Sequence, residues 1–332
     1  MADKELLLSV RNLKVAFHTR EATIYAVNGI SYDLAKGETI GIVGESGSGK
    51  TVGCMSMLKL ISMPPGKIED GQVLFEGRDL VPLKGEKLRQ VRGKEIGVIF
   101  QDPMTAFNQV MTIGDQMVEG YMAHFKASKS VALEKAVKLF ELVGIPSPER
   151  RLHDYPSQFS GGMRQRAMIA MALMCDPKLL IADEPTTALD VTIQAQIVDL
   201  VKSIRDKIGT SIIWISHDLG VVAGLADRVL VMYAGYIIES AIADDLYEHP
   251  RHPYTQGLLG SLPSIEEDSK ERLVSINGMP PYMNRLNIGC PFAPRCEYAI
   301  PQCLNENPVL KPAGDHGHMA ACHRVEEGVY GF

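Results

Sequence analysis

The chain has 332 residues, long enough to bury a substantial core. Its 34 basic and 40 acidic residues leave a net charge of −6, so the whole molecule offers no basic field for nucleic acid. No apolar run approaches the ~20 residues needed to cross a bilayer, and the start MADKELLLSV does not read as a secretion signal, so the chain is expected to stay in the cytoplasm.

Residues 6 to about 262 alternate short apolar runs with helical patterns, as an α/β domain does. Strands are predicted at Thr39–Val43, Ile96–Phe100, Leu179–Ala182, Ser211–Ile215 and Arg228–Met232. The last three are almost unbroken apolar runs, as strands covered on both faces should be. The first leads into Gly44-Glu45-Ser46-Gly47-Ser48-Gly49-Lys50-Thr51, a G-x4-G-K-T phosphate loop between strand and helix. Its glycines let the backbone wrap closely around phosphates, and successive amides and the helix N-terminus face the negative charge. Lys50 is placed to reach the β- and γ-phosphates, and Thr51 to offer its hydroxyl to Mg²⁺. From Ile113 to Gly144 the pattern is helix-rich, with Ala136, Val137, Leu139, Phe140, Leu142 and Val143 on or near one face. Lys178–Glu184 is an apolar strand ending in two carboxylates, at the tip where ligands bind in open α/β sheets. Asp183 suits Mg²⁺ coordination there, and Glu184 suits polarising an attacking water. After Asp190, the residues Ile193, Ile197, Leu200, Val201, Ile204 and Ile208 recur at helical spacing as one apolar stripe.

The character changes after Pro263. Residues 264–332 carry many prolines, scattered charge and no long periodic run. Of the six cysteines, Cys54 and Cys175 read as small buried thiols, while Cys290, Cys296, Cys303 and Cys322 crowd into this tail. Their spacing, C-x5-C-x6-C-x18-C, matches neither the C-x2-C pairing of common zinc sites nor the tight runs of bacterial ferredoxins. Spacing alone leaves a metal or cluster site, disulfides and unconnected thiols all open. His316, His318 and His323 keep zinc among them.

Ser160-Gly161-Gly162-Met163-Arg164-Gln165, after Phe159, resembles the signature motif of ATP-binding-cassette (ABC) ATPases. The other cassette parts follow in order. Gln101 ends a strand as the Q-loop glutamine does, Ala188-Leu189-Asp190 resembles the D-loop, and His217 in Ile215-Ser-His-Asp218 resembles the switch histidine. Phe17 stands where the family places the aromatic that stacks on adenine, with Tyr25 as substitute. The resemblance implies an ABC-type P-loop ATPase domain over 6–262, with a helical insert at about 102–165. It implies that Gly44–Thr51 bind ATP, that Thr51, Gln101 and Asp183 hold Mg²⁺, and that Glu184, His217 and Gln101 serve catalysis. It further implies that Ser160, Gly161, Gly162 and Gln165 complete a site on a second subunit, so that hydrolysis needs a dimer.

Phe100-Gln-Asp-Pro-Met-Thr105, Leu180–Thr192 and His252-Pro-Tyr-Thr255 resemble the ATPase subunits of dipeptide and oligopeptide (Dpp/Opp) importers. Met163–Ala172 is closer to their D-type than their F-type. In that group the four tail cysteines hold a 4Fe-4S cluster, which makes residues 263–332 a small irregular cluster-bearing C-terminal region, with zinc as the alternative. The resemblance implies a paralogous F-type partner in a heterodimer, two integral membrane permease subunits, an extracytoplasmic binding protein and no nucleic acid. It places the chain peripherally on the cytoplasmic face of the membrane. One departure is Ala106-Phe-Asn-Gln109, where the group usually reads S-L-N-P. Related nickel, metallophore or glutathione importers are the alternative reading, and a soluble redox-regulated ABC ATPase a remoter one. Repair-type ABC ATPases carry a long coiled coil between Q-loop and signature, but only 58 residues separate Gln101 from Ser160.

Overall fold

The computed structural model describes residues 5–187, 189–261 and 276–325. Its strands are β1 (Leu6–His18), β2 (Thr23–Ala35), β3 (Thr39–Val43), β4 (Gly66–Phe75), β5 (Arg78–Asp79), β6 (Ile96–Ile99), β7 (Leu179–Asp183), β8 (Ser211–Ser216), β9 (Arg228–Tyr233), β10 (Tyr236–Ile242), β11 (Lys311–Pro312) and β12 (Met319–Ala320). Its helices are α1 (Lys50–Met57), α2 (Gly85–Val91), α3 (Pro103–Ala106), α4 (Ile113–Phe125), α5 (Lys129–Leu142), α6 (Pro148–Arg151), α7 (Gly161–Ala172), α8 (Val191–Ile208), α9 (Leu219–Ala223), α10 (Ala243–Glu248), α11 (Pro253–Leu259) and α12 (Pro301–Asn305). Each of the five strands predicted from the sequence is present within a residue of its expected end. Among the described residues no helix is long and apolar enough to cross a membrane.

One compact unit holds Ala35–Glu38 and Pro82–Ile215. In it β6, β7 and β8 run parallel, with Ile96 opposite Leu179 and Asp183 opposite Ile215. Every residue of β7 and β8 is buried, as strands covered on both faces require. Helices α4, α7 and α8 begin where a short polar side chain replaces the missing intrahelical partner. Thr112 accepts from the amide of Asp115 at 3.2 Å, Ser160 from Met163 at 3.3 Å and Asp190 from Ile193 at 2.9 Å. Gly209 ends α8 in the left-handed region at φ 73°. Helix α5 buries Ala132, Ala136, Leu139 and Phe140, four residues of one stripe. Helix α7 runs on to Ala172.

The second unit holds Leu6–Leu34, Thr39–Val81 and the described part of Ser216–Phe332. Here β3 and β9 are parallel, with Val43 opposite Val231. The antiparallel strand β10 follows β9 through Ala234 and Gly235, both at positive φ (48° and 81°). Two such residues between paired Tyr233 and Tyr236 match the twist of a two-residue hairpin. A separate antiparallel sheet runs β2-β1-β4-β5. The expected domain boundary at 262–263 lies outside the described residues, as does Ala188 of the expected D-loop. The described tail residues belong to this same unit. Strand β12 pairs with β10, Glu239 opposite Ala320, and β11 pairs with β12. Backbone hydrogen bonds the tail lacks within itself are thus made on an existing strand edge.

Candidate functional site

In the second unit the phosphate loop joins β3 to α1. Gly44 stands at φ 148°, and a Cβ there would lie 2.2 Å from the Met232 carbonyl oxygen. Gly49 stands at φ 98°, where a Cβ would lie 2.3 Å from the Ala26 carbonyl oxygen. Glycine is therefore required at both positions by conformation and by close approach. The buried Lys50 ammonium donates to the carbonyl oxygens of Gly44 at 2.8 Å and Glu45 at 3.0 Å. That folds the cation back over the loop. Ser46, Gly47 and Thr51 face solvent. The Ser48 hydroxyl is buried without a protein partner, and its peptide oxygen accepts from Gly235 at 2.9 Å. Such a nest of amides with one lysine suits a polyphosphate.

Phe17 is half-buried at the end of β1, opposite Gly66. A Cβ on Gly66 would come within 3.0 Å of its ring, so glycine gives the aromatic room. Tyr25, the substitute, is also half-buried, and its amide donates to Met283 in the tail at 2.8 Å. His217 is exposed just beyond β8. The following Asp218 caps α9, accepting from Gly220 at 2.8 Å.

In the first unit, Asp183 is buried at the tip of β7, while Glu184 next to it adopts φ 44°. A left-handed glutamate is a strained residue of the kind held in place at functional sites. Its amide donates to Ile215 at 3.0 Å. The Gln101 amide donates to Glu184 Oε2 at 3.1 Å, and the Thr187 hydroxyl donates to the same oxygen at 3.0 Å. Both clamps escaped the sequence reading. Thr187 carried no motif assignment, and the turn that brings it back depends on the Glu184 dihedral. Gln109, the departure from the family pattern, donates through Nε2 to Met104 at 3.0 Å and Phe107 at 3.2 Å. Its amide closes the loop where proline would fix it covalently.

Ser160 and Gly161 are exposed at the start of α7, with Gly162 half-buried. Phe159 is buried against Phe140, ring centroids 6.4 Å apart. Gln165 is 1% exposed, with a buried Nε2 lacking a protein partner. The helical register turns it to the face shared with the buried Met168 and Ile169. Asp190 is exposed and caps α8.

Cys290, Cys296, Cys303 and Cys322 line one cavity of about 20 Å³, with His252, Phe292 and His323. None forms a disulfide. Burial pushes the Cys290 thiol up to about 12 and the Cys296 thiol up to about 11, and Cys303 and Cys322 add to both. Four thiols converging on one cavity are a suitable donor set for a thiophilic metal centre. Among the described residues, however, no three His, Cys, Asp or Glu side chains stand close enough to hold a metal ion. The cavity is water-sized, so a larger group needs the loops around it to move outward. His252 is lowered to about 3 by burial and caps α11, its Nδ1 accepting from Tyr254 at 3.0 Å.

The ABC transporter family model matches residues 27–187, and the oligopeptide/dipeptide transporter C-terminal region matches 238–303. The oligopeptide transport ATP-binding protein OppD of Bacillus subtilis is 53% identical over 93% of this chain and 86% of its own length. The dipeptide transport ATP-binding protein DppD of the same organism is 52% identical over 90% of this chain and 89% of its own. Among solved structures, the dimeric ATP-binding cassette MJ0796 bound to ADP and Pi superposes with a TM-score of 0.64 at 24% identity, covering 71% of this chain and 98% of that one. CbiO1 from Clostridium perfringens gives 0.63 at 24% identity, covering 74% and 92%. These two likenesses concern the fold.

Proposed function

This chain belongs to the ATP-binding proteins of the oligopeptide and dipeptide ABC transporters, D-type, and from that premise we propose how its own residues divide the work of coupling ATP hydrolysis to peptide import. The observation that carries the ATPase reading is the Gly44–Thr51 loop, with its two obligatory glycines and its lysine folded over them. We read residues 6–262 as the nucleotide-binding domain and 263–332 as the transporter-specific region.

Gly44–Thr51 hold the phosphates, and Phe17 stacks on the adenine. Thr51, Gln101 and Asp183 supply the oxygen donors that a hard dication takes. Donation from Nε2 of Gln101 to Glu184 leaves Oε1 as that amide's ligand atom. Bound Mg²⁺ offsets the charge that gathers on the phosphoryl oxygens. Glu184, oriented by Gln101 and Thr187, draws the proton from the attacking water. His217 contacts the γ-phosphate. Ser160, Gly161 and Gly162 reach the nucleotide of a second, paralogous F-type subunit, with Gln165 as buried support and Asp190 fixing the start of α8. The pair sits peripherally on the cytoplasmic face of the membrane beneath two permease subunits, which receive peptide from an extracytoplasmic binding protein.

The four tail cysteines are proposed to hold a 4Fe-4S cluster, zinc being the alternative. Such a group would tie together loops that have no core of their own. Cys290 and Cys296, buried and hard to ionise as thiols, deprotonate on binding it.

Glu184→Gln tests the central assignment. It keeps the side chain's size and the contacts around it but removes the base. Turnover should fall by about 100-fold or more while ATP binding is retained and a closed dimer accumulates. Turnover at the native rate would remove Glu184 from the mechanism.

A further inference from the structure

Glu45, the second residue of the phosphate loop, is gripped at both its carboxylate and its backbone by residues more than 200 positions away. Arg295 donates from Nη1 to Glu45 Oε2 at 2.7 Å and from Nη2 to Oε1 at 3.0 Å. The Glu45 amide donates to the Tyr254 hydroxyl at 2.8 Å. The remaining guanidinium donors reach Tyr233 Oη at 3.3 Å, the Ile276 carbonyl oxygen at 3.3 Å and the Asn277 carbonyl oxygen at 3.0 Å. All five N–H groups are therefore used.

This pair differs from an ordinary surface ion pair, which contributes little. The Arg295 side chain is 4% exposed. Tyr233 and Phe292 wall its guanidinium, their ring centroids 5.8 and 5.9 Å away, and Tyr254 packs on both rings. A desolvated fork-to-carboxylate contact is the geometry in which arginine is specific and lysine is not an equivalent.

Arg295 ends the short turn Ala293–Arg295, between Cys290 and Cys296. At the other end of the link, the Glu45 carbonyl oxygen accepts from Lys50 Nζ at 3.0 Å and from the Ser48 amide at 3.2 Å. A continuous path thus runs from the cysteine-lined segment through Arg295 and Glu45 to the ammonium group over the phosphate loop.

We infer that Arg295 is a positioning residue for the phosphate loop, holding Glu45 and through it Lys50, so that the cysteine-bearing segment sets the affinity for ATP. This rests on reading Gly44–Thr51 as the ATP-binding loop. The effect falls on nucleotide binding, because Arg295 contacts the loop's frame and not the reacting atoms.

The test uses the full chain for equilibrium titration with a fluorescent ATP analogue, and the assembled complex for hydrolysis kinetics. Arg295→Met should weaken ATP binding and raise KM about tenfold, with kcat within about twofold. Glu45→Gln, altered on the loop side alone, should give the same split. The double variant should be no weaker than either single one, because both remove one interaction. Arg295→Lys should fall between wild type and Arg295→Met, and it decides the matter if Arg295→Met does not fold. Unchanged affinity in folded Arg295→Lys and Glu45→Gln, or a double variant whose loss is the product of the single losses, overturns the inference. A wild-type chain that binds no ATP would overturn the reading beneath it instead.

Discussion

Gln101 and Glu184, 83 positions apart in sequence, meet through an amide-to-carboxylate hydrogen bond of 3.1 Å. The carboxylate's orientation therefore depends on the loop that follows β6. Gln101→Ala should lower kcat by about ten- to a hundredfold through misorientation of the base, with a smaller change in ATP affinity. Steady-state hydrolysis and nucleotide titration on the same preparation separate the two. A loss confined to binding would contradict the arrangement.

Gly49→Ala places a methyl group 2.3 Å from the Ala26 carbonyl oxygen, at a φ of 98° that L-residues rarely adopt. The strained backbone should cost about 1–3 kcal/mol, and the loop should shift away from its phosphate-binding shape. Loss of ATP binding by a chain that still melts cooperatively is the expected result. Gly47→Ala is the comparison, since a Cβ there meets nothing within 4 Å although φ is also positive.

His318 lies buried between two carboxylates, its Nε2 2.7 Å from Glu239 and its Nδ1 2.6 Å from Asp245. Burial alone lowers its pKa, but Glu239 and Asp245 outweigh burial and raise it. His249 approaches Asp245 at 3.3 Å, and the Arg251 amide also donates to Glu239. A raised folded pKa stabilises fully below the ordinary histidine value of about 6.5, and that contribution is lost as pH rises through the higher folded value. Melting temperature should therefore fall as pH rises above about 6.5, and His318→Gln should flatten that slope. Equal slopes in both proteins would contradict it.

Cys296→Ser tests the proposal that the four tail cysteines hold a cluster. The native chain, purified without oxygen, should be brown with broad visible absorbance and bound iron and sulfide. The variant should be colourless and melt at a lower temperature. A colourless native chain carrying stoichiometric zinc would replace the cluster with the alternative metal.

Much of this architecture was legible in the sequence because short-range chemistry fixes it. Apolar runs located β3, β6, β7, β8 and β9, and the glycine spacing located the phosphate loop. The cap at Asp190 carried a readable signal too, a short polar residue immediately before a helical stripe. What stayed hidden depends on contacts across long stretches of chain. The Arg295 fork on Glu45 spans 250 positions, and the pairing of β12 with β10 joins residues some 80 apart. Neither leaves a periodic trace.

This chain hydrolyses ATP to drive peptide import. The most direct measurement is ATP turnover by the native complex in lipid, with and without its binding protein loaded with peptide. Peptide-loaded binding protein should stimulate hydrolysis, and Glu184→Gln should abolish the stimulated rate. Stimulation by a nickel chelate or glutathione with none by peptide would contradict the claim.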